Sequence, residues 1–198
     1  MKKIVVATNN HSKLEEIKEI LNEYKLLSLK DVECNINVLE DKETFKENSH
    51  KKAKEISDTI KMPCISDDSG LCINEYNGWP GVYTARFLGE DASARQRNEY
   101  ILNKMKDLKG EKRSAVVKCH ISYYENGQFI DGIGEVKGRI SEEIRGENGF
   151  GFDEIFEIKD GRTLAELSKE EKNNISARKL ALMNLLEKMK KEKKNVRG

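Results

Sequence analysis

No apolar run in these 198 residues approaches the ~20 needed to span a bilayer, and the opening MKKIVVATNN lacks the apolar core of a signal peptide. The expected setting is therefore the cytoplasm. Charge of one sign is lacking too. The 36 Lys and Arg against 35 Asp and Glu leave a formal net charge of +1, so no global field draws the chain to nucleic acid or to a membrane. Cysteine is sparse and scattered. Cys34, Cys64, Cys72 and Cys119 form no C-x-x-C pair and have no histidine at zinc spacing. That argues against a disulfide framework or a zinc site and for reduced, mostly buried thiols. The three histidines, His11, His50 and His120, lie far apart in sequence and suggest no cluster. His120 sits in a strand pattern and reads as structural rather than as a base. Neither an internal repeat nor a linker is present, so 1–198 reads as a single domain, or two lobes sharing a sheet.

What is present is regular α/β patterning. Lys3–Thr8 is a β-branched strand ended by Asn9-Asn10, and Leu14, Ile17, Ile20 and Leu21 then recur at helical spacing. Thr8–Lys13 thus lies at a strand's C-terminal tip, where α/β proteins hold ligands and a helix N-terminus favours anions. Thr44-Phe45-Lys46-Glu47 is a capping box opening a second helix that runs toward Pro63. A third helix follows Asp91. Ala115, Val117, Cys119, Ile121 and Tyr123 alternate, Asn126-Gly127 makes a hairpin turn, and Phe129–Ile140 returns. Thr163-x-x-Glu166 and Ser168-x-x-Glu171 begin further helices, and the last helix carries Leu180, Met183, Leu186 and Met189. The tail KKEKKNVRG reads as a solvated charge run, with a nucleic-acid arm as the alternative.

Between Cys64-Ile65 and Leu71-Cys72-Ile73 stands SDDSG, two adjacent carboxylates where an apolar strand is in progress. Burying either carboxylate costs several kcal/mol unless a cation meets it. Taken alone the five residues read as a surface turn. Four other polar or glycine-bearing stretches interrupt the pattern: TNNHSK (8–13), ENSHKKA (47–53), NGFGFDEIF (148–156) and EEKNNISAR (170–178). Each alone has an ordinary structural reading: a turn and N-cap, a glycine loop that is neither a P-loop nor a full G-x-G-x-x-G, and, for Lys172, a helix-surface charge.

In order and content these stretches resemble the inosine/xanthosine triphosphate pyrophosphatase family. The matching patterns are [ST]-[GN]-N-x-x-K at Thr8–Lys13 and T-F-x-E-N-[AS]-x-x-K-A at Thr44–Ala53. D-D-S-G-L follows at Asp67–Leu71, and G-x-P-G-x-Y-[ST]-A-R falls within Asn77–Arg86. G-F-G-[YFW]-D matches Gly149–Asp153, and the E-E-K-N region with S-x-R closes at Arg178.

The resemblance implies a mixed α/β fold: an elongated twisted sheet flanked by helices, in two lobes with a central nucleotide cleft. It implies a homodimer and hydrolysis of ITP, dITP and XTP to monophosphate and pyrophosphate. It makes SDDSG a magnesium and water site at a strand end, with Asp68 as catalytic residue and Mg²⁺ ligand. Glu40 best matches the second metal-binding carboxylate, with Asp41 and Glu43 as rivals. Thr8, Asn9, Asn10 and Lys13 would meet the phosphates, Lys172 would add a second point charge, and Ser69 would contact the nucleotide. Phe150, Gly151, Phe152, Asp153 and Arg178 would read the base. In that reading Phe152 stacks, Asp153 accepts from N1–H, and Arg178 donates to the 6-oxo group.

Two departures stand out. Glu154 replaces a proline after Asp153, and Ala177 replaces the base-contacting histidine before Arg178. The second raises an alternative: a purine-nucleotide-binding protein with weakened or lost catalysis.

Overall fold

A computed structural model describes residues 1–195, and the end of the basic tail lies outside the described residues.

Two compact units form. The first comprises Met1–Asp68, Cys119–Gly134 and the chain from Ala177 onward; the second comprises Ser69–Lys118 and Glu135–Ser176. The strands are β1 (Lys3–Val6), β2 (Lys25–Leu27), β3 (Cys64–Ile73), β4 (Trp79–Pro80), β5 (Ser114–Glu125), β6 (Gln128–Ile140) and β7 (Phe156–Glu157). The helices are α1 (His11–Ile20), α2 (Phe45–Ile60), α3 (Ala94–Lys104), α4 (Lys169–Ile175) and α5 (Ala177–Asn195). Strand order is β2-β1-β3-β5-β6-β7, with β4 paired to β3. β1 runs parallel to β2 and β3, whereas β4 and β7 pair antiparallel. This is the expected mixed α/β class.

In the first unit Val5, Ala7, Leu29, Ile56 and Cys64 form a buried cluster, joined by Leu27 and Ile60. A fully buried aliphatic side chain of this kind contributes about 1.5–3 kcal/mol. The helix starts follow their sequence signals. Asn10 caps α1 by accepting from the Lys13 N–H, and Thr44 caps α2 by accepting from the Glu47 N–H, although the expected box is only half made because Glu47 takes the Thr44 hydroxyl rather than its N–H. Ser93 and Ser168 each close a full capping box. Glu166 likewise accepts from the Thr163 N–H, but that signal opens only a short 3₁₀ turn. Asn126 and Gly127 both take positive φ in the β5–β6 hairpin, as its two-residue turn requires.

One expectation needs correction here. SDDSG is not at a strand end: all five residues lie inside the ten-residue β3. The strand continues because both carboxylates find partners within the fold. In α5 the buried face carries Ala181, Leu182, Leu185 and Met189, while Leu180 and Met183 are 45% and 48% exposed. The cause is on β6. A Cβ on Gly132 would lie 2.1 Å from the Ala181 carbonyl oxygen, and one on Gly134 would lie 2.0 Å from that of Ala177. Glycine lets the helix backbone settle directly on the strand, and that contact sets the rotation of α5. No helix among the described residues is long and apolar enough to cross a membrane.

Candidate active site

β1 ends at Val6, paired with Ile65, so Ser66, Asp67 and Asp68 extend past its last paired residue. The chain leaves β1 through Thr8–Asn10, where the Thr8 hydroxyl accepts from the Asn10 N–H, and turns into α1. The first turn of α1 then brings Lys13 to Asp67, Nζ to Oδ2 at 2.9 Å. From α5, the Arg178 Nε and Nη2 each lie 3.2 Å from the same oxygen, and Nη1 donates to Glu16. Asp67 is 1% exposed. Burial pushes its carboxyl up, but Lys13, Arg178 and Lys52 outweigh burial and hold it well below the usual carboxylate range. Arg178 is buried as well. Burial works against its charge, and Asp67 leads the neighbours that overcome that effect and keep it protonated.

Asp68, the next residue, has the opposite environment. It is 6% exposed and accepts at Oδ2 from the Asn48 Nδ2, 2.9 Å away. Burial, then the charge of Glu40, push its carboxyl up to about 6, against the Asn48 hydrogen bond and Lys52. Glu40 is itself held by Lys52. Burial alone would lower the Lys52 ammonium, yet Asp67, Glu40 and Asp68 together raise it. Of the three candidate metal carboxylates, Glu40 is therefore the one whose charge acts on Asp68. Asp41 pairs with Lys51 at 2.8 Å, and Glu43 is exposed.

In the second unit, Gly149 and Gly151 take positive φ in the loop 148–153. A Cβ on Gly149 would lie 2.1 Å from Asp153 Oδ2, so only glycine leaves the carboxylate its place. That oxygen accepts from the Phe150 N–H and from Lys172 Nζ, both at 2.6 Å. Lys172 Nζ also stands 4.2 Å from the centre of the Phe150 ring. Phe150 is 40% exposed, while Phe152 meets Phe156 edge-on. Asn98 donates to the Gly151 carbonyl and to Glu154, so the residue standing in for proline ties this loop to α3. Ala177 is buried at the start of α5, in the first unit.

The pattern of residue types missed four members of this site. Asn48 and Lys52 sit one helical turn apart on α2, inside the T-F-x-E-N-[AS]-x-x-K-A motif, and that spacing was the available signal. Asp67 read as a neighbour of Asp68 only. Glu16 had no signal, because an acidic residue on an amphipathic helix reads as solvated. One further expectation is corrected: His50 and His120 do come together, with ring centres 6.0 Å apart.

The sequence pattern described as the Ham1 family matches residues 4–188. The chain belongs to this family. Among its relatives, a dITP/XTP pyrophosphatase from Clostridium tetani is 41% identical over 196 residues, covering 96% of this chain and 97% of that one. One of the same name from Bacillus subtilis is 40% identical, covering 93% and 96%. Of solved structures, the Staphylococcus aureus Ham1 protein superposes with a TM-score of 0.87 at 36% identity, over 97% of this chain and 100% of that one. A HAM1 protein from Coxiella burnetii gives 0.89 at 36% identity, over 96% and 100%. Ham1 membership agrees with the resemblance carried by the motifs.

Proposed function

We propose that this protein hydrolyses deaminated purine nucleoside triphosphates, ITP, dITP and XTP, to the monophosphate and pyrophosphate. The observation that carries the reading is the Asp67–Asp68 pair: adjacent carboxylates whose surroundings push their affinities for protons in opposite directions. Asp67, locked by Lys13 and Arg178, stays ionised and fixes the strand. Asp68, raised to about 6 in the metal-free protein, is the carboxylate placed to accept a proton. A water oxygen bonds to phosphorus at the α–β bridge, its proton passes to Asp68, and the bridging P–O bond breaks with its electrons on the departing oxygen. Lys13 offers charge to the phosphates, and the Asn9 N–H, between two N–H groups already used within the turn, offers a donor.

Glu40 and Asp68 would hold a divalent cation. Their donor set fits: two hard carboxylates, with Asp68 raised first by burial and then by the charge of Glu40, and a cation between them would offset that charge. Mg²⁺, when bound, would neutralise charge on the phosphate oxygens.

For the base we propose the Phe150–Asp153 loop with Lys172. The Phe150 or Phe152 ring stacks on any purine, worth ~1–3 kcal/mol. Selection then rests on edges. Asp153 suits an N1–H, and the Lys172 ammonium beside it suits a 6-oxo acceptor, whereas the adenine 6-amino group would meet a cation. For Arg178 we propose a positioning role toward Asp67 in place of the base contact. Ser69 is proposed to meet the nucleotide through its hydroxyl. A cytoplasmic homodimer is the setting we propose, on the family resemblance.

With Mg²⁺ and ITP, the expected products are IMP and pyrophosphate in equal amounts, read by anion-exchange chromatography. IDP and orthophosphate would overturn the assignment of the cleaved bond. Ala177→His is expected to raise kcat/KM for ITP about threefold or more, mainly through KM, since one recovered hydrogen bond contributes about 0.5–1.5 kcal/mol. ATP should remain a poor substrate. An unchanged ITP profile would show that the base site is complete without a histidine there.

A further inference from the structure

His50 on α2, His120 on β5 and Asp131 on β6 bring two imidazole nitrogens and a carboxylate within 4.8 Å of one another. All three belong to the first unit. His50 Nε2 lies 2.8 Å from Asp131 Oδ1 and 3.0 Å from Oδ2. His120 Nε2 lies 3.1 Å from Oδ1. That nitrogen is buried, and the Asp131 carboxylate meets it at ion-pair distance but off the direction of a well-aligned hydrogen bond. A buried imidazole nitrogen whose one polar contact is poorly aligned is better served by a ligand that completes its coordination.

We propose that these three side chains form a site for a borderline divalent transition metal, Zn²⁺ above all, separate from the carboxylate site at Asp68. Two imidazoles and one carboxylate are the donors of a zinc site with its fourth position open, and they are poor ligands for Mg²⁺. Donors bound to zinc at ~2.0–2.1 Å in a tetrahedron stand roughly 3.3 Å apart, so the two histidine–carboxylate spacings need to open by only a few tenths of an ångström, and the imidazole nitrogens lie within 4.8 Å of one another. The surroundings already orient the ligands. Ser122 donates to Asp131 Oδ1, and Phe129 stacks on His50 with ring centres 3.8 Å apart. A competing charge, Lys46, stands 3.9 Å from Asp131 on a largely exposed side chain that is able to swing away. Occupancy would staple α2 to β5 and β6. Because α2 also carries Asn48 and Lys52, the staple would steady the helix that frames Asp68 without joining the chemistry.

The test uses the full chain without an affinity tag, freed of metal and titrated with Co²⁺ and then Zn²⁺. One equivalent of Co²⁺ should give the visible absorption of a tetrahedral site, with no thiolate band in the near ultraviolet, and Zn²⁺ should displace it. Zn²⁺ at a hundredfold excess over its Kd should raise Tm by roughly 5–10 °C. His50→Ala and, separately, His120→Gln should abolish the cobalt spectrum, while Asp68→Asn and a large excess of Mg²⁺ should leave it intact. His50 is partly exposed, so its variant is expected to fold as the parent does, checked by its metal-free Tm. Absence of tetrahedral absorption, its survival in His50→Ala, its loss in Asp68→Asn, or a thiolate band would each overturn the proposal.

Discussion

Asp68→Asn is expected to abolish most of the activity while making the metal-free protein more stable. The two effects share a cause. Burial and Glu40 raise the Asp68 carboxyl to about 6, so its ionised form is held in the fold at a cost. The ordinary carboxyl titrates near ~3.9, and each unit of difference is about 1.4 kcal/mol, which puts the cost near 2–3 kcal/mol at neutral pH. The sign follows from the direction of the shift. A raised carboxyl binds its proton more tightly in the folded state, so stability is lost as pH rises through the interval from about 4 to about 6. The amide removes the charge and keeps the acceptor for Asn48. The gain should therefore be full above about pH 7 and fade toward about pH 4, as thermal unfolding in EDTA near pH 5 and pH 8 will show. Loss of the base should lower kcat/KM for ITP by ~10²–10⁴-fold. A variant that is inactive yet less stable near pH 8 would show that Asp68 is held by attraction, and the poised-base reading would fail.

Why this site was only partly legible in the sequence follows from where its charges come from. SDDSG announced itself because two carboxylates interrupt an apolar run, and Lys13 because it follows a strand and opens a helix. Neither showed that β3 runs on through both carboxylates. That depends on Lys13, Arg178, Lys52 and Asn48 arriving from three different helices, a long-range arrangement with no local spacing. Glu16 was unreadable for the same reason, and Lys172 stood out only through the family resemblance. A charged residue on a helix looks solvated until its partner is known. The rotation of α5 escaped because apolar residues occur nearly all round it, and the glycines of β6 that select a face are distant in sequence. Capping signals and the Asn126-Gly127 turn, whose physics is local, read directly.

Arg178→Met is expected to cost about 3–5 kcal/mol of stability, a fall in Tm of roughly 6–20 °C. Methionine fills much of the same volume, so packing loss is small. What remains is a pair of buried carboxylates, Asp67 and Glu16, that have lost the guanidinium between them. Lys13 still reaches Asp67, which limits the damage there, but Glu16 is as buried as Arg178 itself. The pH dependence identifies the cause. In the parent, Asp67 lies below the usual carboxylate range, so its contribution is full above about pH 4 and is lost as pH falls toward its folded value. Without Arg178 the carboxyl moves up, and the folded protein takes up a proton that the parent refuses. The gap between parent and variant should therefore be widest at neutral pH and narrow in acid, measured by urea unfolding from about pH 4 to pH 8. Selectivity separates positioning from base contact. If Arg178 acts through Asp67, the ratio of kcat/KM for ITP to that for ATP should hold while both values fall. A collapse of that ratio with little loss of stability would place Arg178 at the base instead, and the buried ion pair would not be what keeps it there.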